Sequence, residues 1–217
     1  MVKMGAMDPV RIFIKKEPHT QKKMKSKMFR PIKHVGIVDN TALRVLFSCH
    51  INSTSDTFDP AASVSNSGMD FLNVEHNRAF AARWFDCPET EINKPSDVSK
   101  WDYSVNYPLL KSSQRSRECM VIRDSVTEAQ FNRWCHLGRI ATQCMAKPVL
   151  VTPDGVFHCP EDPGRVLSGC LITKYGNDIC RATLSEKAGA TLNNVGGDDA
   201  MDRVERNRVK HFEKVFE

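Results

Sequence analysis

Apolar positions along the chain fall into short clusters separated by polar, turn-forming stretches, and their spacing predicts helices interleaved with local hairpins. Phe13-Ile14 leads into a basic stretch, and Ile37-Val38 with Leu43 to Phe47 reads as buried structure behind it. Asn52 to Ser67, rich in Ser, Thr, Asn and Asp, reads as a loop. Asn73 to Trp84 has helical spacing, with Phe80 and Trp84 four apart. The passage around Pro88 and Pro95 precedes a short strand ending near Asp97. Ser125-Val126-Thr127-Glu128 has capping-box spacing and opens a helix with Phe131, Trp134 and Cys135 on one side. Pro148 to Thr152 and Val156 to His158 flank Pro153-Asp154-Gly155, a hairpin signal. A further helix is expected from near Gly169 towards Arg181, then a strand over Ala190 to Val195 and a tight turn at Gly196-Gly197-Asp198-Asp199. Val204 to Glu217 is amphipathic, with Val209, Phe212 and Phe216 on one face. Mixed helices and hairpins without βαβ alternation argue for an α+β fold.

Composition changes this picture little. The 217 residues, 41% hydrophobic and 26% charged, suit one large domain or two small ones with a buried core. No apolar run approaches the roughly 18 residues needed to cross a bilayer. Met1 to Arg11 carries no apolar segment of the secretory kind. The eight cysteines stand singly, without a CxxC pair, which reads as free thiols in a reducing compartment. Zinc at His158-Cys159 is disfavoured, because adjacent residues rarely serve as two ligands of one tetrahedral ion. Charge is more informative. Residues 1–35 hold ten Lys/Arg against Asp8 and Glu17, a net of +8, whereas the whole chain nets +5. A basic arm before a slightly acidic body fits a polyanion held by one element and a cation by another, or equally a solvated basic face.

Four segments carry candidate chemistry. Asp198-Asp199 sets two adjacent carboxylates at a glycine turn; their repulsion is unfavourable unless a cation neutralises them. Asp97-Val98-Ser99-Lys100-Trp101-Asp102 places an acid at a strand end and another five positions on. With Asp198 and Asp199, Asp97 would complete an oxygen-ligand set for two Mg²⁺ ions, the arrangement of nucleotidyl transfer. Ser168-Gly169 supplies a donor on a flexible loop, and Thr173 and Asn177, four apart, share a helical face that can read a sugar hydroxyl. The basic arm, Ile14 to Ile32, supplies converging cations, bracketed by Phe13, Ile14, Phe29 and Ile32 as in a folded element. Each has a plainer reading: a polar surface turn, a capped helix start, an N-cap with exposed polar residues, or a solvated face.

In this order and spacing the four segments resemble the RNA-dependent RNA polymerases of positive-strand RNA viruses, most closely the sobemovirus and polerovirus lineage, over nearly the whole chain from about Asp8. Phe13 to His19 resembles the start of motif F, with Lys15, Lys23 and Arg30 at its phosphate-binding cations and Asp39 at a following acidic position. Asp97 to Asp102 is similar to motif A, whose first aspartate binds metal and whose second senses the ribose. Ser168-Gly169, Thr173 and Asn177 match motif B, and Gly197-Asp198-Asp199 matches motif C. Glycine before the aspartates favours RNA polymerases over reverse transcriptases. Pro31 departs from the aliphatic residue usual after the motif F arginine, and Arg203 to Glu217 looks like the motif D helix.

The resemblance implies a right-hand polymerase with an antiparallel palm sheet and helices. Fingers elements would occupy 1–89, palm 90–112, a helical insertion and hairpin 113–159, and palm again 160–217. Motif E, the thumb and part of the fingers are not matched, so the chain reads as an incomplete catalytic core expected to extend primers negligibly alone. The implied activity is template-directed RNA synthesis. Asp97, Asp198 and Asp199 would hold Mg²⁺ or Mn²⁺, and Lys15, Lys23 and Arg30 the triphosphate. Asp102, Ser168, Gly169, Thr173 and Asn177 would surround the nucleotide. Implied partners are RNA template and primer, NTPs, and viral or host replication proteins. The implied setting is the host cytoplasm, at membrane-associated replication complexes. Rival readings are a non-catalytic RNA-binding fragment and a metal-dependent nuclease.

Overall fold

The computed structural model describes residues 6–216 except 19, 27, 28, 30, 99, 100, 163 and 165. It is an α+β structure with two sheets. The first has the order β2-β1-β4-β5, where β1 is Val10–Ile14, β2 Pro31–His34, β4 Leu150–Val151 and β5 Phe157–His158. β1 pairs antiparallel with β2 and parallel with β4, so the chain returns from far downstream to lie beside the basic arm. The second sheet is antiparallel, in the order β3-β7-β6, with β3 Glu91–Ser96, β6 Ala190–Gly196 and β7 Asp199–Glu205.

Helices fill the space between the sheets: α1 Gln21–Ser26, α2 Ile37–Asp56, α3 Val74–Phe85, α4 Trp101–Ser104, α5 Tyr107–Cys119, α6 Glu128–Ala146, α7 Thr173–Ala188 and α8 Val209–Phe216. Three apolar clusters result. Val10, Val35, Leu43, Phe47, Ala141, Leu150, Leu167 and Ile172 join the first sheet to α2 and α6. Trp101, Val105, Leu109, Val166 and Cys180 join α4 and α5 to α7. Ala188, Val204 and Phe212 seat α8 on the second sheet. Among the described residues no helix is long and apolar enough to cross a membrane.

Several sequence expectations hold. α3 starts after Asn73, whose side chain accepts the N–H groups of Glu75 and His76, and β3 and the β6–β7 turn lie where expected. Others shift, each for a physical reason. The polar stretch from Asn52 continues α2 to Asp56, and the Thr54 and Thr57 hydroxyls are satisfied by returning to the His50 and Ser53 carbonyls. The capping box at α6 is Thr127 with Gln130, two residues beyond the Ser125–Glu128 pattern. Ser125 instead closes a 3₁₀ turn on the Ile122 carbonyl. α7 begins at Thr173 rather than near Gly169 and ends at Ala188 rather than Arg181. The loop before it is tied to β2, and Gly189 turns left-handed at the far end. Arg203 to Glu205 belong to β7, so the last helix starts at Val209. Leu43 and Phe47 are buried as expected, but Ile37 and Val38 are exposed, since the first turn of α2 projects beyond the core.

Phe47 is the keystone of the largest cluster. It is 1% exposed, meets Trp134 edge-on at 6.3 Å, and Trp134 in turn donates to the Leu46 carbonyl at 2.8 Å. Phe47→Ala leaves a cavity between α2 and α6 and is expected to cost about 3–5 kcal/mol of stability. Urea unfolding of the two chains measures it, and a loss below about 1 kcal/mol would mean the cluster collapses into the gap.

Candidate active site

Pairing in the second sheet sets the geometry of the acidic residues. Ser96 opposes Ala200 and Gly196 opposes Asp199, so Asp97, one residue beyond β3, stands alongside Asp199 at the start of β7. Asp198 occupies the two-residue turn with Gly197, whose φ of +80° is a left-handed conformation that favours glycine. All three aspartates are exposed at this edge. Asp97 and Asp199 line one open cleft with Asn66, Ser96 and Asn194. The Asp199 carboxyl is held above its ordinary range, first by partial desolvation and then by the charges of Asp198 and Asp97. The three carboxylates are thus within electrostatic range of one another. Among the described residues no three His, Cys, Asp or Glu side chains are gathered closely enough to hold a metal ion as they stand. The donor set nevertheless fits a divalent cation: three hard oxygen ligands on one open edge whose mutual repulsion a cation would relieve.

Two buried side chains of α7, absent from the sequence reading, hold this edge. Arg181 is 0% exposed and pairs with Asp202 of β7, also 0% exposed, at 3.1 Å. Its remaining donors reach the Ser96 hydroxyl, the Ser185 hydroxyl at 2.5 Å and the Asp198 carbonyl at 3.3 Å. The guanidinium also lies over the Phe216 ring at 4.2 Å. One cation therefore fixes the residue before Asp97, the backbone of Asp198 and the strand carrying Asp199. Asp178, 3% exposed, accepts the Gly197 N–H at 2.7 Å and the Ser65 and Ser67 hydroxyls at 2.5 and 3.1 Å. Burial raises its pKa, and these donors oppose the rise. The Ser63–Ser67 segment runs along the edge of β6, through Asn66 N–H to the Val195 carbonyl at 2.9 Å and Val195 N–H to the Val64 carbonyl at 2.8 Å.

The second group of predicted residues meets at another junction. Ser168 accepts the Lys33 N–H at 3.2 Å, and the Gly169 N–H donates to the Lys33 carbonyl at 2.9 Å. A Cβ on Gly169 would lie 2.5 Å from that carbonyl, so the close approach requires glycine. Lys33 itself is 2% exposed; its ammonium donates to the Val166 carbonyl at 2.9 Å and to the Asp102 carbonyl at 3.5 Å, and lies 4.4 Å from the Tyr103 ring centroid. The basic arm is thereby bound to the α4 turn carrying Asp102 and to the Ser168-Gly169 loop. Thr173 spends its hydroxyl on the Leu167 carbonyl, and Asn177, 8% exposed, lines a narrow pocket with Thr173 rather than the acidic cleft.

The predicted phosphate cations are less fully described. Lys15, just past β1, pairs with Glu17 at 2.7 Å on the surface. Lys23 lies on α1 with its side chain outside the described residues, as does Arg30 altogether. Asp39 is buried near the start of α2 and accepts the Asp8 N–H at 2.9 Å, a structural contact. No sequence pattern marked Lys33, Asp178 or Arg181. Only the four-residue spacing of Asn177, Arg181 and Ser185 hinted that one face of α7 is polar and inward.

No family model matches the chain. It is similar to "Protein P2-P3" of Poinsettia latent virus, 29% identical over 94% of this chain and 19% of that protein. It is similar also to the replicase polyprotein P2AB of Southern cowpea mosaic virus, 28% identical over 97% of this chain and 21% of the polyprotein. "Protein P1-P2" of a Netherlands strain of Potato leafroll virus is 27% identical over 93% of this chain and 19% of its own length. The chain thus spans about a fifth of the length of these curated relatives. Among solved structures, a Sicinivirus 3Dpol RNA-dependent RNA polymerase superposes with a TM-score of 0.69 at 17% identity, over 89% of this chain and 40% of that one.

Removing one partner of the Arg181–Asp202 pair leaves a buried uncompensated charge, at a cost of about 3–5 kcal/mol. Arg181→Met and Asp202→Leu are each expected to destabilise by that order, and the double variant by much less than their sum. Urea midpoints of the four chains measure the coupling. Additive losses would show that the two side chains act independently.

Proposed function

We propose that this chain, related to sobemovirus and polerovirus replicase polyproteins and folded as a viral RNA-dependent RNA polymerase, serves template-directed RNA synthesis as part of the catalytic core. The observation that carries the reading is the register placing Asp97 beside Asp199, with Asp198 in the adjoining turn. In this reading Asp97, Asp198 and Asp199 would hold Mg²⁺ or Mn²⁺. When bound, such ions activate the attacking hydroxyl and neutralise the leaving oxygens of a phosphoryl group.

The chain's own residues do the positioning, which supplies much of the rate in such chemistry. Arg181 and Asp178 hold the backbone of the acidic turn from beneath, which limits how far the carboxylates must move to close on an ion. Asp102 stands at the ribose, where a 2′-hydroxyl distinguishes RNA from DNA. Ser168 and Gly169 flank the same junction, and Thr173 holds the loop through the Leu167 carbonyl with Asn177 one turn further on. Lys15, Lys23 and Arg30 are proposed to meet the triphosphate. RNA template and primer, NTPs and other replication proteins are the proposed partners, in membrane-associated complexes of the host cytoplasm.

The test has two stages. Electron paramagnetic resonance of Mn²⁺ titrated into the 217-residue chain should detect binding that Asp97→Asn, Asp198→Asn and Asp199→Asn together abolish. A polypeptide carrying these residues with flanking replicase sequence should incorporate labelled NMP on primed RNA. There, Asp198→Asn should reduce the rate by about a hundredfold or more, and chelation by EDTA should stop it. Degradation of the RNA instead would identify a nuclease, and binding without either reaction a non-catalytic module.

A further inference from the structure

Arg117 of α5 is 4% exposed, and among the described residues its guanidinium makes no hydrogen bond and no ion pair; it lies over the Phe47 ring at 5.4 Å. Burial pushes its pKa down only to about 10, so it stays cationic at neutral pH. The groups acting on it electrostatically are the buried thiols of Cys180 and Cys170. Burial pushes the Cys180 pKa up to about 12 and raises that of Cys170, so both are neutral. Burial first, and then the same charge, pushes His50 down to about 4, so it is neutral as well. A buried cation without a counter-charge is strongly unfavourable.

Beside Arg117 lies a partly open pocket of about 40 Å³, lined by α5, α6, α7 and the segment leading into α7. Its polar walls are Arg117, Ser113, Thr142, Thr173 and Asn177, and Val166, Leu167 and Ile172 make it largely apolar. Ser113 stands one turn before Arg117 on the same face of α5. A water needs roughly 10–15 Å³ of such space, so the pocket holds about three or four water-sized groups, fewer than a phosphate ester requires. A weakly hydrated monatomic anion matches both the size and the apolar walls.

We propose that this pocket is a binding site for one small inorganic anion, a halide such as chloride, held against the Arg117 guanidinium. The site is separate from the acidic cleft. Its occupant supplies the counter-charge that Arg117 otherwise lacks, and it bridges α5 to α7.

The experiment exchanges sodium gluconate for sodium chloride or bromide at constant ionic strength and follows the thermal midpoint of the 217-residue chain. A saturable rise is expected, about 2–4 °C for each fivefold increase in halide above its dissociation constant. Arg117→Met should remove the response, and Arg117→Lys should keep a weaker one. Should the methionine variant fail to fold, crystals of the unaltered chain in bromide decide by anomalous scattering, with one peak expected beside Arg117. A pocket containing water alone, an unchanged response in Arg117→Met, or a bromide peak with no response in solution would each overturn the proposal.

Discussion

The buried pair between Arg181 and Asp202 is the constraint on which the second sheet and its acidic edge depend. Neither charge has access to water, so each is tolerable only because the other is present and the remaining donors of Arg181 are used. Those donors end on β3, α7 and the turn at Asp198, and the aromatic face of Phe216 covers the planar group. A lysine could not reproduce this, because a point charge on a flexible stem lacks the fork that reaches several acceptors at once. The fold gives up apolar packing at that position and gains a fixed relation between α7, two strands and the acidic turn.

Asp178 complements it from one turn earlier on α7. Together the two side chains hold both sides of the Gly197-Asp198 turn, one through the Gly197 N–H and the other through the Asp198 carbonyl. The exposed aspartates can therefore stand close despite their repulsion, which would otherwise open the turn. Four further hydrogen bonds serve the same end from elsewhere. Arg203 donates to the Arg83 and Trp84 carbonyls, and Arg83 to the Ser63 and Asn193 carbonyls, binding α3 and the segment before it to the sheet.

The basic arm is held differently. Its strands β1 and β2 pair with each other and with β4, but the close contact to the rest of the molecule is Lys33, buried among carbonyls of the Asp102 and Val166 segments. An arm whose positive charge exceeds that of the whole chain is thus anchored by one of its own lysines, which leaves the exposed lysines to act as a field rather than as structure.

Local rules in the sequence determined the elements and the chemistry-bearing residues. Apolar spacing located α3, glycine with paired acids located the β6–β7 turn, and alternation of helix and hairpin signals gave the α+β class. The order of Asp97, Ser168-Gly169 and Gly197-Asp198-Asp199 gave the polymerase resemblance. Boundaries slipped where a side chain bonded back to its own helix, as at Thr54 and Thr57, or where a turn was fixed by a distant strand, as before Thr173. Tertiary structure alone decided that Asp97 stands beside Asp199, since strand register depends on pairing between segments about a hundred residues apart. It alone decided that Lys33, Arg117, Asp178 and Arg181 are buried. A charged residue looks the same in sequence whether it faces water or the core; only the partners brought to it by folding distinguish the two.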